Sequence, residues 1–328
     1  MIKKLTFLTT FVLFAILSQA QDRVLIFHKT NGFRHSGGIN GAIELITDLG
    51  NRNGWETDNS KNASVFTDAN LRKYDVVVWA NTSGNNLLNG SQRRAFEKFI
   101  SNGGGFVGIH AATDTYRNRS WPFYNELVGA IVQNRPNHTR NNLQGEMKKI
   151  GRHPITAHLG ASWTKKEEWY YWDLNGGKLF PGNNVLLEVK KTGNKSYDRK
   201  RPITWYKNFR GGRSFYTALG HNNSDYKINS PFGIMLKNAI IWTGNLTTNK
   251  ENLNMFHSDS KKDLKINSAF PNPTKNYINI NESNDWDLMD LKGTIINSGS
   301  GDRIDLSGYK SGMYLLKSDE TILKIIKE

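Results

Sequence analysis

Apolar residues are distributed unevenly along the 328-residue chain. Two runs, Asp75-Val-Val-Val-Trp-Ala80 and Gly105-Phe-Val-Gly-Ile-His110, are apolar almost throughout, the pattern of strands covered on both faces. Arg23-Val-Leu-Ile-Phe27 is a shorter β-prone run leading into a glycine-containing loop, and Arg213-Ser-Phe-Tyr-Thr-Ala-Leu-Gly-His221 reads as a late strand. Between them, apolar residues recur at helical spacing. Ile39, Ala42, Ile43, Ile46 and Leu49 form one such face; Ala95, Phe96, Phe99 and Ile100 form another, with Gly103 placed to end the helix; Phe232, Met235, Leu236, Ala239 and Ile240 form a third. Strand and helix alternate, which predicts an α/β domain over residues 21–245 with a mostly parallel sheet. The pattern stops after Trp242. Residues 246–265 are polar and aperiodic and read as a linker. Residues 266–328 carry short strand-like pieces, such as Tyr277-Ile-Asn-Ile280 and Gly312-Met-Tyr-Leu-Leu316, divided by Gly and Asn/Asp turns, and predict a small C-terminal β-sandwich.

Residues 1–20 stand apart from the fold. Lys3 and Lys4 precede an apolar run from Leu5 to Leu17, and Ser18-Gln19-Ala20 supplies a small-x-small cleavage pattern, the layout of a secretory signal peptide. Thirteen largely apolar residues fall short of the ~20 that a spanning helix needs, so no transmembrane anchor is expected. There is no cysteine, which excludes disulfides, thiolate metal sites and a Cys nucleophile. Charge is concentrated. The formal net charge is +15, and residues 21–250 alone carry 32 basic and 17 acidic residues, whereas residues 251–328 are slightly acidic. A basic exported domain suits an anionic polysaccharide better than nucleic acid, for which no binding motif is present; a solvated basic surface is the plainer alternative.

Three histidines share a topological position. His35 follows the first strand, and His110 and His221 end two later ones. Ligands of open parallel sheets bind at the carboxyl ends of strands, so the three are expected to meet in one cleft, where imidazole serves as base, acid or metal ligand. Asp114, four residues past His110, is a further candidate, with helix capping as its structural alternative. In Glu167-Glu-Trp-Tyr-Tyr-Trp172 two acids stand beside four aromatics, an environment that can raise a carboxyl pKa. Arg34 and Arg201 are candidate carboxylate or sulfate clamps, and Tyr116, Trp169 and Trp205 candidate sugar contacts. A divalent metal held by His and a carboxylate is open, although no HExxH-like spacing is present.

These blocks carry a resemblance. Residues 23–244 resemble the ThuA-like (trehalose-utilisation) domain through Gly32-Phe-Arg-His35, Val76-Val-Val-Trp79, Gly103 to Thr115, Leu127-Val-Gly-Ala130, His153-Pro-Ile-Thr156, Glu167-Glu-Trp-Tyr170 and Gly212 to His221. The resemblance implies a flavodoxin-like, class I glutamine-amidotransferase-like sheet and a link to sugar catabolism, oxidised (3-keto) disaccharides included. In amidotransferases a Cys occupies the strand-to-helix elbow; here the corresponding turn follows His110 and the chain has no Cys, which removes that chemistry. The family often writes the acidic pair as Asp-Glu where this chain has Glu167-Glu168, and His-Pro where this chain has Arg201-Pro202. The tail, through Phe270-Pro-Asn-Pro273, Tyr277-Ile-Asn-Ile280, Leu306, Gly312-Met-Tyr-Leu315 and Lys324-Ile-Ile-Lys327, resembles the C-terminal sorting domain of the type IX (Por) secretion system of Bacteroidetes. That implies delivery to the cell surface or medium by this machinery.

The leading expectation is an exported carbohydrate-active enzyme that abstracts a proton beside a carbonyl or carboxylate of an anionic (uronic) or keto sugar. Its outcome is that of a lyase, dehydratase or isomerase, with His110 or His221 as base and His35 or Glu168 as acid. The alternatives are a glycoside hydrolase pairing Glu168 with Asp114 or Glu167, and a sugar-binding protein without catalysis.

Overall fold

In the computed structural model, residues 21–173, 177–246, 269–291, 293–318 and 321–328 are described. They fall into two compact units that divide near residue 252. The signal peptide and, apart from Leu246, the linker lie outside the described residues.

In chain order the larger unit contains β1 (Arg23–Phe27), α1 (Ser36–Asn53), β2 (Glu56–Ser60), α2 (Asp68–Leu71), β3 (Val76–Ala80), α3 (Gly90–Ser101) and β4 (Gly105–Ile109). It continues through α4 (Pro122–Val128), β5 (Leu143–Lys149), β6 (Ser162–Glu167), β7 (Asn184–Val189), β8 (Arg201–Phe209), β9 (Gly212–Thr217) and α5 (Pro231–Gly244). The nine strands form one sheet in the order β2-β1-β3-β4-β9-β8-β7-β5-β6. The first five are mutually parallel, in the flavodoxin order with β9 as fifth strand. The other four extend the sheet antiparallel from β9, so the sheet as a whole is mixed.

The sequence explains the difference between the halves. β3 and β4 are buried at every position because helices cover both faces. Phe106 packs against Phe96 of α3 and Tyr124 of α4, while its neighbour Gly105 faces the other way, towards α5. A Cβ on Gly105 would lie 2.7 Å from the backbone of Thr243, so only glycine admits α5 this close. β5 instead alternates between buried and exposed positions, as a strand with one wet face does. α1 starts at Ser36, three residues before its first predicted apolar position, and ends at Gly54 in the left-handed conformation. The polar edge strand β2 and the antiparallel extension had no clear counterpart in the hydrophobic pattern.

The smaller unit holds β10 (Ala269–Phe270), β11 (Tyr277–Met289), β12 (Ile295–Asp305), β13 (Gly312–Ser318) and β14 (Thr321–Lys327). β11 pairs with β12 along one edge and with β10 and then β13 along the other, and its register shifts between Asn279 and Asn284. Such a shift bends the strand, and the antiparallel sheet curls as a half-barrel around Ile278, Ile280, Trp286, Leu288, Ile304, Leu306, Leu316 and Ile325.

Candidate active site

The parallel half brings three histidines to one sheet edge. His35 closes the loop after β1 at the start of α1. His110 is the first residue after β4, with a φ of 48°, in the left-handed region that costs a non-glycine residue energy. That turn is why β4 stops at Ile109, one residue short of the predicted end. β9 likewise ends at Thr217, and His221 sits four residues beyond it in irregular chain. The Nδ1–H of His110 donates to the carbonyl of Ala218 at 2.7 Å, which leaves Nε2 as the acceptor facing its neighbours.

Glu168, just past β6, is the hub. Its Oε2 lies 3.3 Å from His110 Nε2, 3.5 Å from His221 Nδ1 and 3.6 Å from His35 Nε2, and its Oε1 lies 3.1 Å from His138 Nδ1. His221 Nδ1 and His110 Nε2 are 3.2 Å apart. Burial disfavours the charged carboxylate, but the close imidazoles of His110, His221 and His35 outweigh it and hold Glu168 below the ordinary carboxylate range. Burial in turn holds His35 below its usual value against the pull of Glu168, whereas the bond to Glu168 raises His221 against burial. The surrounding imidazoles favour the ionised form of the carboxylate that the sequence offered as an acid.

His35, His110, Glu168 and His221 fit a divalent metal. Their four ligand atoms lie within 4.8 Å of one another. Bonds of ~2.0–2.2 Å to a tetrahedral ion place ligand atoms about 3.3 Å apart, close to the 3.2–3.6 Å contacts given above, whereas imidazole–carboxylate hydrogen bonds run at ~2.7–2.9 Å. Glu168 Oε2 is buried without a hydrogen-bond partner of good geometry. The Ala218 carbonyl on His110 is the outer contact that a ligating imidazole ordinarily makes.

Glu167 does something different from its neighbour. It is 0% exposed, and its carboxylate accepts from the backbone N–H of Gly220 (3.0 Å), His221 (3.3 Å) and Glu168 (3.0 Å), and from Lys165 Nζ (2.9 Å). Lys165 also bonds Asp225 at 2.7 Å. One carboxylate thus clamps the segments that carry Glu168 and His221, and it is not offered to a substrate.

Beside the cluster opens a cleft of about 500 Å³ lined by Phe33, Arg34, Asp114, Tyr170 and several asparagines, as well as His35, Glu168 and His221. Asp114 pairs with Arg117 at 3.0 Å, and burial raises its carboxyl pKa. Arg34 donates to the His28 carbonyl and remains at the cleft wall. Four other predicted site residues are placed elsewhere. Arg201, 4% exposed, is consumed by Asp198, Thr192 and the Tyr170 carbonyl and stacks on Tyr171. Tyr116 is buried under Arg93 with its hydroxyl accepting from Leu88 N. Trp169 and Trp205 donate to the carbonyls of Leu143 and Val128 inside the core. An apolar body needing one polar partner is satisfied within the protein as readily as by a sugar. His138 was not anticipated, because it lies in the loop before β5 and no strand end marks it; Tyr170, whose ring stacks on His110 at 4.7 Å, had been read only as one aromatic among four.

A flavodoxin-ordered sheet with a His₃Glu cluster at the carboxyl ends of its strands defines the class, and comparison defines the family. The trehalose utilisation (ThuA) family model matches residues 23–243, and the chain belongs to that family. The model of a secretion system C-terminal sorting domain matches residues 268–328, so the chain carries the address of an exported protein. A putative ThuA-like protein from Bacteroides uniformis has 24% identity and a TM-score of 0.56, covering 73% of this chain and 95% of that one. A putative ThuA-like protein from Parabacteroides merdae has 18% identity and a TM-score of 0.55, covering 70% and 92%. A cytoplasmic protein from Salmonella typhimurium shares the fold at 12% identity and a TM-score of 0.50, covering 67% and 99%. No curated protein matches the chain.

Proposed function

We propose that the chain is an exported carbohydrate-active enzyme of the lyase, dehydratase or isomerase type, working by proton abstraction beside a sugar carbonyl. The convergence of three imidazole nitrogens on Glu168 Oε2 carries this reading. Held by His35, His110, Glu168 and His221, a divalent metal would supply Lewis-acid polarisation beside the reacting C–H. With His110 and His221 among the residues that would hold the ion, the base role falls to Asp114, whose raised carboxyl pKa suits a base working nearer neutrality. His138 donates from Nδ1 to the Thr139 carbonyl at 2.6 Å, which leaves Nε2 free to exchange a proton with the substrate. Return of the proton to carbon gives an isomer; loss of a β-substituent gives an enone.

A keto sugar suits the cleft better than a uronate, because Arg34 is the one Lys or Arg side chain on its described wall. Hydrolysis by paired carboxylates is less well supported, since Glu167 is turned inward and Glu168 is buried with its Oε2 facing three imidazoles. The test uses chelated protein reloaded with Zn²⁺, Mn²⁺ or Co²⁺. Metal uptake should be stoichiometric, enone absorbance should grow on C3-keto glycosides, and His110→Ala should abolish both. Absence of metal uptake, or full activity in His110→Ala, would overturn the proposal.

A further inference from the structure

Resting on the sugar reading of the cleft, we infer that Phe33 is the platform of a second saccharide subsite at the cleft mouth, so that the preferred occupant has at least two rings. Phe33 is 71% exposed, against 44% for Tyr197, the other exposed large apolar side chain among the described residues of the larger unit. A single exposed aromatic is ordinary on a protein surface. This one differs in standing on an anchored loop beside a site.

Its loop is tied down at each step. Asn31 N donates to the Ser83 carbonyl (2.8 Å), and the Asn31 side chain donates to the Asn85 carbonyl (2.8 Å). Ser83 Oγ donates to the carbonyl of Phe33 itself (2.5 Å), and Arg34 donates to the His28 carbonyl (2.9 Å). Gly32 packs so closely on Gly84 that a Cβ on Gly84 would meet Gly32 N at 2.5 Å. The ring stands edge-to-face with His35, centroids 4.8 Å apart, which ties the platform to the metal-type cluster. A loop already anchored loses little entropy when a ligand covers it.

Amides line the same cleft beside Arg34, Ser36 and His138. Asn137, Asn141 and Asn223 line it, each with donors and an acceptor, and Asn222 Nδ2 bridges to Asn142 Oδ1 at 2.9 Å. A flat C–H face for the aromatic and hydroxyl edges for the amides describe a pyranose ring. With the reacting ring at the His35–His110–Glu168–His221 cluster, the ring over Phe33 is the second one.

The experiment measures binding to metal-loaded mature protein by calorimetry. The probes are glucose, trehalose, maltose and cellobiose, each also as its C3-keto form. Phe33→Ala should weaken disaccharides by ~3- to 10-fold and leave glucose unchanged, with Phe33→Trp restoring affinity and Zn²⁺ binding identical in all three proteins. Disaccharide binding unaltered in Phe33→Ala, or monosaccharide and disaccharide weakened alike, overturns the subsite while the sugar reading stands. Failure of the wild type to bind any probe with Zn²⁺ in place overturns the sugar reading and the subsite together.

Discussion

The two halves of the nine-stranded sheet differ in what they bury. The parallel half is filled by apolar and aromatic side chains, with Phe27, Phe66, Trp79, Phe96 and Phe106 in mutual edge and tilted contacts. The buried Asp, Glu, Lys and Arg residues among the described part of the larger unit, Glu167, Glu168, Asp198, Arg201 and Lys207, all come from the antiparallel half and the chain around it, whereas the buried ionisable groups of the parallel half are His28 and His110. Apolar burial is non-directional and builds a scaffold; a buried charge must be met by specific partners and so fixes specific positions. The parallel half presents the histidines at its strand ends, and the antiparallel half supplies the charge around which they gather.

The comparison is broken most forcefully by one substitution in each half. Phe106→Ala should cost ~3–5 kcal/mol by opening a cavity, and Arg201→Ala a similar ~3–5 kcal/mol by stranding the Asp198 carboxylate. Both are read by urea melts. Replacing Arg201 and Asp198 together by Met and Leu should recover most of the loss in the second case, whereas no second change at Asp198 should help the first. Metal and sugar affinity of the folded fraction should stay unchanged in both, and a specific loss of sugar affinity in Arg201→Ala would return that residue to the site.

Lys207 gives the contrast a pH dependence. It is 3% exposed, donates to the Glu126 carbonyl, and burial lowers its pKa from 10.5 to about 8, only partly opposed by Glu126. Below pH 8 the ammonium is charged in both states and the cost of burying it is fully present. Between about 8 and 10.5 the unfolded chain binds more protons than the folded one, so this group's contribution to stability rises with pH, by about 3 kcal/mol in all. Lys207→Met should therefore be more stable than wild type at pH 7 by a margin that shrinks towards pH 10.5. A margin constant across that range would show that Lys207 titrates normally.

Glu167→Gln sharpens the comparison at the site. An amide cannot accept from the backbone of Glu168, Gly220 and His221 with both of its heteroatoms, so the two ligand-bearing segments should loosen and metal affinity should fall ~10–100-fold. The visible spectrum of the Co²⁺ form should change with it, and Lys207→Met, equally buried but remote from the ligands, should alter neither. The smallest effect concerns the +15 charge. With Arg34 as the one Lys or Arg among the described residues of the cleft, affinity for a neutral keto-disaccharide should be nearly flat from about 0.05 to 0.5 M salt. A steep fall would place the basic surface in recognition.

Much of the scaffold could be read along the chain. Unbroken apolar runs admit one reading in an alternating α/β pattern, and strand ends in such a sheet are where ligands gather, which singled out His35, His110 and His221 before their distances were known. The sorting tail was legible for another reason, since its identity lies in short ordered motifs. Tertiary structure decided the rest. Glu167 and Glu168 are adjacent and chemically alike, yet successive residues at a strand end point to opposite sides, so one clamps backbone and the other meets three imidazoles. Whether Arg201, Tyr116, Trp169 and Trp205 face a cleft or a core depends on where the antiparallel extension folds back. His138 joins Glu168 across thirty residues of chain. Periodicity records which face of an element is dry; it holds no record of which polar group, brought from far along the chain, will stand opposite.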